Sequence, residues 1–141
     1  MNGRESEMSN DIVRDMGFHH VALKCKDIEK SISMYSALGM KKVVEWGEGE
    51  ERVVMLDIGD GGRIELFANG SDDYSVNGKW QHFAIRVDNV DAAYKCATVA
   101  GFGEHTRPKV LILRAKPADL TINIAFVTGP DGEEIEFFKE V

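Results

Sequence analysis

Residues 18–40 read F-H-H-V-A-L-K-C-K-D-I-E-K-S-I-S-M-Y-S-A-L-G-M, and a related stretch follows later in the chain. Moved forward by 62 positions (82 − 20), the first stretch aligns without a gap with residues 80–102, W-Q-H-F-A-I-R-V-D-N-V-D-A-A-Y-K-C-A-T-V-A-G-F. His20 then falls on His82. The period is too long and the copies too few for a solenoid. The repeat therefore predicts a duplicated module inside one compact domain.

Each copy has the pattern of a strand followed by a helix. In the first strand, His20 and Ala22 alternate with Val21 and Leu23, so the two sets lie on opposite faces. The apolar face should pack on the helix. The His face should therefore look away from the helix, into whatever the sheet encloses.

The ends of both predicted helices carry recognisable signals. Asp27 and Asn89 are predicted N-caps, because a short polar side chain can accept a hydrogen bond from the first turn. Gly39 and Gly101 are predicted to close the helices, since glycine tolerates the left-handed conformation found there.

The composition of the 141-residue chain is that of an ordinary globular protein. It is 43% hydrophobic and 29% charged, with a net charge of −7. This charge argues against a general nucleic-acid binder. No apolar run approaches a membrane span or a signal peptide, so no membrane partner is expected and the predicted location is cytoplasmic. Cys25 and Cys96 lack CxxC spacing and are expected to be free, buried thiols.

The predicted fold class is α+β, with two tandem β-α-β-β-β modules. Turn-forming residues separate the strand patterns within each module. One strand near 110–113, flanked by loops, is predicted in the stretch between the two prolines Pro108 and Pro117. The predicted divisions are a disordered tail at 1–16, a first module at 17–68, a linker at 69–79 and a second module at 80–141.

The last strand of each module carries a carboxylate among apolar residues. Glu65 lies in R-I-E-L-F, and Glu136 lies in E-E-I-E-F-F. Alternation sends their apolar neighbours to the helix side and sends both Glu residues to the face of His20 and His82.

Two imidazoles and two carboxylates on one face suit a borderline divalent ion such as Zn²⁺, Ni²⁺ or Co²⁺. Taken singly, each residue could be an ordinary polar side chain on an open sheet. Their repeat-related placement favours a metal site of His20, Glu65, His82 and Glu136. His19 should point to the opposite face and is predicted not to be a ligand, and His105 is a weaker candidate in an irregular loop.

These motifs, together with Q-H-F-A-I-R-V-D-N-V and G-P-D-G-E-E-I-E-F-F, resemble the vicinal-oxygen-chelate superfamily, which includes glyoxalase I and bleomycin-resistance proteins. The resemblance covers roughly residues 17–141. It implies paired β-α-β-β-β modules that form a curved mixed sheet enclosing a metal site, a homodimer, and one divalent metal per site held by the four residues named above.

Within the superfamily, the His-Glu-His-Glu set is most similar to glyoxalase I. The resemblance implies a metal-dependent lyase or isomerase that acts on an α-hydroxycarbonyl, such as the hemithioacetal of methylglyoxal and a thiol, through an enediolate. It also implies that a glutamate moves the proton, with Glu136 as first candidate and Glu65 as second.

Three further residues are predicted to contact the substrate. Lys24 occupies a position where bacterial glyoxalase I has an arginine that meets glutathione, and lysine keeps the charge but loses the bidentate fork. Asn69 matches a glutathione-contacting position of that family. Arg86 is the repeat counterpart of Lys24.

Two other functions stay open at this point. One is another metal-dependent isomerase, such as a methylmalonyl-CoA epimerase-like enzyme. The other is a bleomycin-resistance-type protein that binds a small molecule without the metal. The sequence does not decide whether the metal site is built within one chain or across a dimer.

Overall fold

The structure, a computed structural model, describes residues 11–12, 18–71, 82–115 and 117–141. Two β-α-β-β-β units follow one another, which confirms the predicted class. The elements of the first unit are β1 (His20–Lys24), α1 (Ile28–Ser36), β2 (Lys41–Trp46), β3 (Val53–Asp57) and β4 (Arg63–Phe67). Those of the second are β5 (Phe83–Arg86), α2 (Val90–Val99), β6 (Gly103–Leu113), β7 (Leu120–Thr128) and β8 (Glu134–Glu140).

Part of the predicted division of the chain lies outside the described residues. This holds for residues 1–10 and 13–16 of the predicted tail and for residues 72–79 of the predicted linker. The module bounds of 17–68 and 80–141 stay predictions.

The strands form two four-stranded mixed sheets, with the orders β1-β4-β3-β2 and β5-β8-β7-β6. In both sheets the first strand of the module runs parallel to the last one, and the remaining neighbours are antiparallel. The helical connection after each first strand permits this parallel pairing. As a result, each His-bearing segment lies beside the Glu-bearing strand of its own module.

Both helices begin and end as the sequence predicts. The Oδ1 atom of Asp27 accepts a hydrogen bond from the Lys30 N–H at 3.1 Å, and that of Asn89 accepts from the Ala92 N–H at 3.0 Å. Gly39 and Gly101 follow the helices with φ of 100° and 106°, a region that favours glycine. Among the described residues, no helix is long and apolar enough to cross a membrane.

One hydrophobic cluster runs through both modules, so they share a core. On β4 and β8, the apolar residues beside the two glutamates have no exposed surface or almost none. They are Ile64 and Leu66 on β4, and Ile135 and Phe137 on β8. Burial of this face favours the strand register, because a slip by one residue would turn the whole apolar set outward.

A buried polar cluster joins α1 of the first module to the second module. The Tyr35 hydroxyl donates to Glu133 Oε2 at 2.7 Å, and the Ser31 hydroxyl donates to Asp131 Oδ2 at 3.2 Å. The backbone N–H of Lys26 also donates to Asp131, at 2.8 Å. Asp131 and Glu133 both lie in the turn between β7 and β8, so these bonds tie α1 of the first module to the second.

Strand β6 is longer than predicted. It covers Gly103–Leu113, where the sequence suggested only a short strand near 110–113 with loops on either side. Its pairing with β7 shifts register between Glu104 and Thr106 and again between Thr106 and Lys109. Pro108 lies within the second shift. An outer strand with such irregularities tolerates proline, because fewer of its N–H groups are needed for the ladder.

Both cysteines are free thiols, as predicted, but only one of them is buried. Burial raises the pKa of the Cys25 thiol to about 12, so the thiol stays protonated. Cys96 is exposed, which corrects the expectation that both would be buried. The reason is that Cys96 lies on the outer side of α2, whereas Tyr94 and Ala97 face the core.

The Glu133 carboxyl makes the stability of the fold depend on pH. Burial raises its pKa, and the bond from Tyr35 opposes this only in part. A carboxyl whose pKa is raised by folding contributes stability at low pH that is lost as the pH rises through the folded pKa. As the pH rises through the folded pKa of Glu133, we expect the free energy of unfolding of the wild type to fall. That of Glu133→Gln should fall less, in urea titrations at several pH values. The exposed Glu140→Gln serves as control and should parallel the wild type. Parallel curves for Glu133→Gln would contradict this account.

Candidate metal centre

His20 and Glu65 form the first of two equivalent pairs. Glu65 lies opposite Ala22 in the parallel pairing of β1 with β4. Since His20 is two residues from Ala22, its side chain leaves the sheet on the same face as Glu65. The Nε2 atom of His20 lies 3.5 Å from Oε1 of Glu65. The sequence-based pairing of these two residues is therefore what the structure shows.

His82 and Glu136 form the second pair with the same geometry. Glu136 lies opposite Ala84 in the parallel pairing of β5 with β8. The Nε2 atom of His82 lies 3.1 Å from Oε1 of Glu136. The sequence repeat thus becomes a repeat of side-chain geometry, with one imidazole and one carboxylate in each module.

In each pair the carboxylate is buried and the imidazole is open to solvent. Glu65 and Glu136 each expose 8% of their surface, whereas the side chains of His20 and His82 expose 38% and 39%. Burial raises the pKa of Glu136, and the nearby His82 opposes the shift. A buried carboxylate is costly unless a positive group or a donor faces it. The imidazole or a cation on the open side can meet this need.

The structure does not bring the two pairs into one cluster. Within the described residues, no group of three or more His, Cys, Asp or Glu side chains is close enough to hold a metal ion. One chain in this arrangement thus offers two half-sites, each with one nitrogen and one oxygen. A tetrahedral or octahedral ion needs more ligands than either half-site has.

The donor atoms themselves fit a borderline divalent ion. Neutral imidazole nitrogen and carboxylate oxygen are both common zinc ligands. Each carboxylate is carried by a paired strand, β4 or β8. The Nε2 atom of its histidine partner lies 3.1 to 3.5 Å from the carboxylate oxygen. Either half-site could supply two ligands, and the two half-sites together could supply the four predicted from sequence.

His19 does not point away from His20, which corrects the prediction made from alternation. The Nδ1 atoms of the two rings lie 2.8 Å apart, and the rings meet edge to face. Strand β1 begins at His20. His19 lies just outside the strand, where the backbone need not place neighbouring side chains on opposite faces.

His105 lies in strand β6 and not in an irregular loop. Its Nε2 atom lies 3.0 Å from Oε1 of Glu134, and its ring packs against Phe126. The ring of His82 packs against the same Phe126 from another direction. His105 is thus on the face of the second half-site, but its carboxylate partner is Glu134 and not Glu136.

The three predicted substrate-contacting residues lie at strand ends. Lys24 ends β1 and Asn69 follows β4, so both lie at the same end of the first sheet. Arg86 ends β5 and lines an open cleft of about 550 Å³, together with Phe18, Asp60 and Phe83. The residues that line this cleft include neither His–Glu pair. That Lys24, Asn69 and Arg86 contact a substrate stays a prediction.

Arg63 is a residue near the first half-site that sequence analysis missed. It lies two residues before Glu65 on β4, and therefore on the same face. Its Nη1 atom contacts the thioether sulfur of Met55, at 3.8 Å. Its Nε atom is buried and has no hydrogen-bond partner, and it is alone in this among the described side chains. Nothing in the sequence indicates that the Nε–H group of an arginine at the start of a strand will be buried without a partner.

The two sheets, the repeated His–Glu geometry and the strand order define a glyoxalase-like fold. The family model described as the Glyoxalase/Bleomycin resistance protein/Dioxygenase superfamily matches residues 17–137. The chain belongs to this superfamily.

Relatives and solved structures agree with this assignment. A probable lactoylglutathione lyase of Vibrio parahaemolyticus is 33% identical over 127 residues, covering 85% of this chain and 88% of the relative. A lactoylglutathione lyase of Escherichia coli is 31% identical over 128 residues, covering 86% and 90%. A glyoxalase I mutant from Zea mays has a similar structure, with a TM-score of 0.66 at 22% identity. That similarity covers 86% of this chain and 44% of the maize chain.

Replacement of Arg63 by methionine tests whether its buried Nε–H is truly without a partner. An unpaired buried donor costs about 1–3 kcal/mol, so Arg63→Met should keep or raise the free energy of unfolding measured in urea. The matched control is Arg52→Met, because Arg52 forms ion pairs with Glu29 and Glu45 and should lose stability on replacement. A larger loss for Arg63→Met than for Arg52→Met would contradict the unpaired state.

Proposed function

We propose that this chain is a divalent-metal-dependent lyase or isomerase of the glyoxalase I type. The substrate would be an α-hydroxycarbonyl, such as the hemithioacetal formed from methylglyoxal and a thiol. The observation that carries the proposal is the pair of equivalent His–Glu half-sites, at 3.5 Å in one module and 3.1 Å in the other. Zn²⁺, Ni²⁺ and Co²⁺ are the candidate ions, since all three accept nitrogen and oxygen ligands.

We further propose that a homodimer completes the site. The His20–Glu65 pair of one chain would face the His82–Glu136 pair of a second chain, giving four ligands. Both β1 and β5 lie at an end of their sheet and, within the described residues, pair with a single strand. Each half-site is therefore next to a sheet edge that a second chain can approach. A two-fold dimer would form two such sites.

In this proposal His20, Glu65, His82 and Glu136 would hold the ion, which would supply positive charge to stabilise the negative charge that builds up as a proton leaves carbon. Glu136 takes that proton and returns it to the neighbouring carbon. Burial raises the pKa of Glu136 in the absence of an ion, and a bound cation would oppose this shift. Glu65 has the same burial and is the second candidate for this role.

Substrate recognition would come from residues around the half-sites. The names of the relatives support glutathione as the thiol. Its carboxylates need cationic or polar partners, and Lys24, Arg86 and Asn69 lie at strand ends where a peptide-like thiol could reach them. Arg63 adds a guanidinium on the same face as Glu65. An arginine binds a carboxylate in bidentate fashion, so Arg63 could serve the anionic part of the substrate.

The free thiols Cys25 and Cys96 support the proposed cytoplasmic location, because thiols persist in a reducing compartment.

A methylmalonyl-CoA epimerase-like reaction would use the same half-sites, and an assay with methylmalonyl-CoA separates it from the glyoxalase reaction.

A second candidate function is small-molecule binding without metal. The observation that favours it is the open cleft of about 550 Å³ between β5 and the β3–β4 turn, whose lining residues include neither His–Glu pair. Phe18 and Phe83 supply aromatic surface there, and Arg86 and Asp60 supply charge. Calorimetric titration of the chelator-treated protein with aromatic drugs tests this function, and binding that needs no metal would favour it over the enzyme.

Two paired variants test whether the site is shared between chains. One variant carries His20→Ala with Glu65→Ala, and the other carries His82→Ala with Glu136→Ala. A mixed dimer rebuilds one complete site, from the intact pair of each chain. Refolding the two variants together should restore up to about a quarter of wild-type activity with methylglyoxal and glutathione, since half of randomly paired dimers are mixed.

Each variant refolded alone is the control and should be inactive. Sedimentation confirms that both variants and the mixture are dimers. A mixture that stays inactive, although the dimers form, would show that the site does not combine pairs from two chains. Activity of either variant alone would show that the altered pair is not needed.

Glu136→Gln tests the proton carrier. The amide keeps an oxygen for the ion but cannot accept the proton, so kcat should fall by about 10²- to 10⁴-fold while zinc content falls much less. Glu134→Gln is the matched control, because Glu134 lies on the same face of β8 two residues away and pairs with His105. Full turnover by Glu136→Gln would exclude Glu136 as the proton carrier and would leave Glu65 or a water molecule for this role.

A further inference from the structure

The contact between His19 and His20 has a chemical consequence for the first half-site. Their Nδ1 atoms are 2.8 Å apart, which is a hydrogen-bond distance. Two lone pairs would repel each other at this distance, so one of the two nitrogen atoms carries the proton and the other accepts it. Within the described part of the chain, Nδ1 of His20 forms this hydrogen bond with His19.

The direction of this hydrogen bond decides whether His20 can bind a metal. The Nε2 atom of His20 faces Glu65, so it is the nitrogen that would be the ligand. If His19 donated, a neutral His20 would carry its proton on Nε2 and would have no lone pair there. If His20 donates from Nδ1, its Nε2 lone pair is free to bind an ion.

We propose that His19 is a positioning residue for the metal site. It accepts the Nδ1–H of His20, holds that ring in the tautomer with a free Nε2, and fixes the ring orientation toward Glu65. This inference rests on the proposed metal site, since it concerns a residue that acts on a ligand and is not itself a ligand.

The backbone around His19 is suited to this role. The carbonyl of His19 accepts a hydrogen bond from the Arg63 N–H at 3.0 Å, which anchors the residue to β4 just before β1 begins. The edge-to-face packing of the two rings, with centroids 5.1 Å apart, restricts rotation of both. In the sequence, Gln81 is the repeat counterpart of His19 and also carries an acceptor, although it lies outside the described residues.

Zinc affinity separates an acceptor role from a structural one. His19→Phe keeps an aromatic ring beside His20 but removes the acceptor, and His19→Asn keeps an acceptor oxygen near the position of Nδ1. In competition with a coloured chelator, we expect His19→Phe to bind Zn²⁺ about 10- to 100-fold more weakly than the wild type. His19→Asn should recover most of this loss. His105→Phe is the matched control and should bind as the wild type does, because His105 pairs with Glu134.

His20→Ala distinguishes failure of the inference from failure of the proposed site. Equal zinc binding by the wild type and His20→Ala would refute the metal site itself. Loss of zinc in His20→Ala together with wild-type affinity in His19→Phe would refute only the role of His19. Equal weakening in His19→Phe and His19→Asn would also refute the acceptor role.

A spectroscopic measurement on the unaltered chain does not depend on whether any variant folds. Nitrogen chemical shifts of the histidine rings distinguish the two neutral tautomers. In the zinc-bound wild-type protein, we expect the proton of His20 on Nδ1 and no proton on Nδ1 of His19. A proton on Nδ1 of His19 would overturn the proposal.

Discussion

The parallel pairing of the first and last strands of each module is the constraint on which the rest of this structure depends. It places β1 beside β4 and β5 beside β8. Because of this pairing, a histidine near the start of the module lies next to a glutamate that is 45 residues later in the first module (65 − 20) and 54 residues later in the second (136 − 82). The helix after the first strand makes this arrangement possible, and the apolar face packed on the helices holds it in register. The candidate site therefore depends on the backbone hydrogen bonds between the first and last strands of each module.

The burial of Glu65 and Glu136 links the packing of the sheets to their function. Each carboxylate lies in a strand whose neighbouring side chains are completely or almost completely buried, and each has an imidazole on its open side. A carboxylate in this setting needs a positive partner. The imidazole meets the need when it is protonated, and a divalent ion would meet it better. The same burial disfavours the charged form of Glu136 and raises the pKa of its carboxyl.

Two features connect the modules without bringing their half-sites together. The shared hydrophobic cluster and the bonds from α1 to Asp131 and Glu133 fix how one module sits against the other. In this arrangement each chain presents two separate half-sites at sheet edges. The physical reason is that packing of the helical sides is driven by apolar burial, whereas the open faces are free to meet a second copy.

The sequence by itself determined the duplication, the order of elements, the helix caps and the common face of each His–Glu pair, His20 with Glu65 and His82 with Glu136. These are consequences of short periods, since a two-residue alternation and a cap within one turn need no distant contact. Only the tertiary structure decided what depends on distant contacts. It decided the division into two sheets, the separation of the half-sites, the full length of β6 and the unpaired Nε of Arg63. It also decided the contact of His19 with His20, because alternation applies inside a strand and His19 lies just before its first residue.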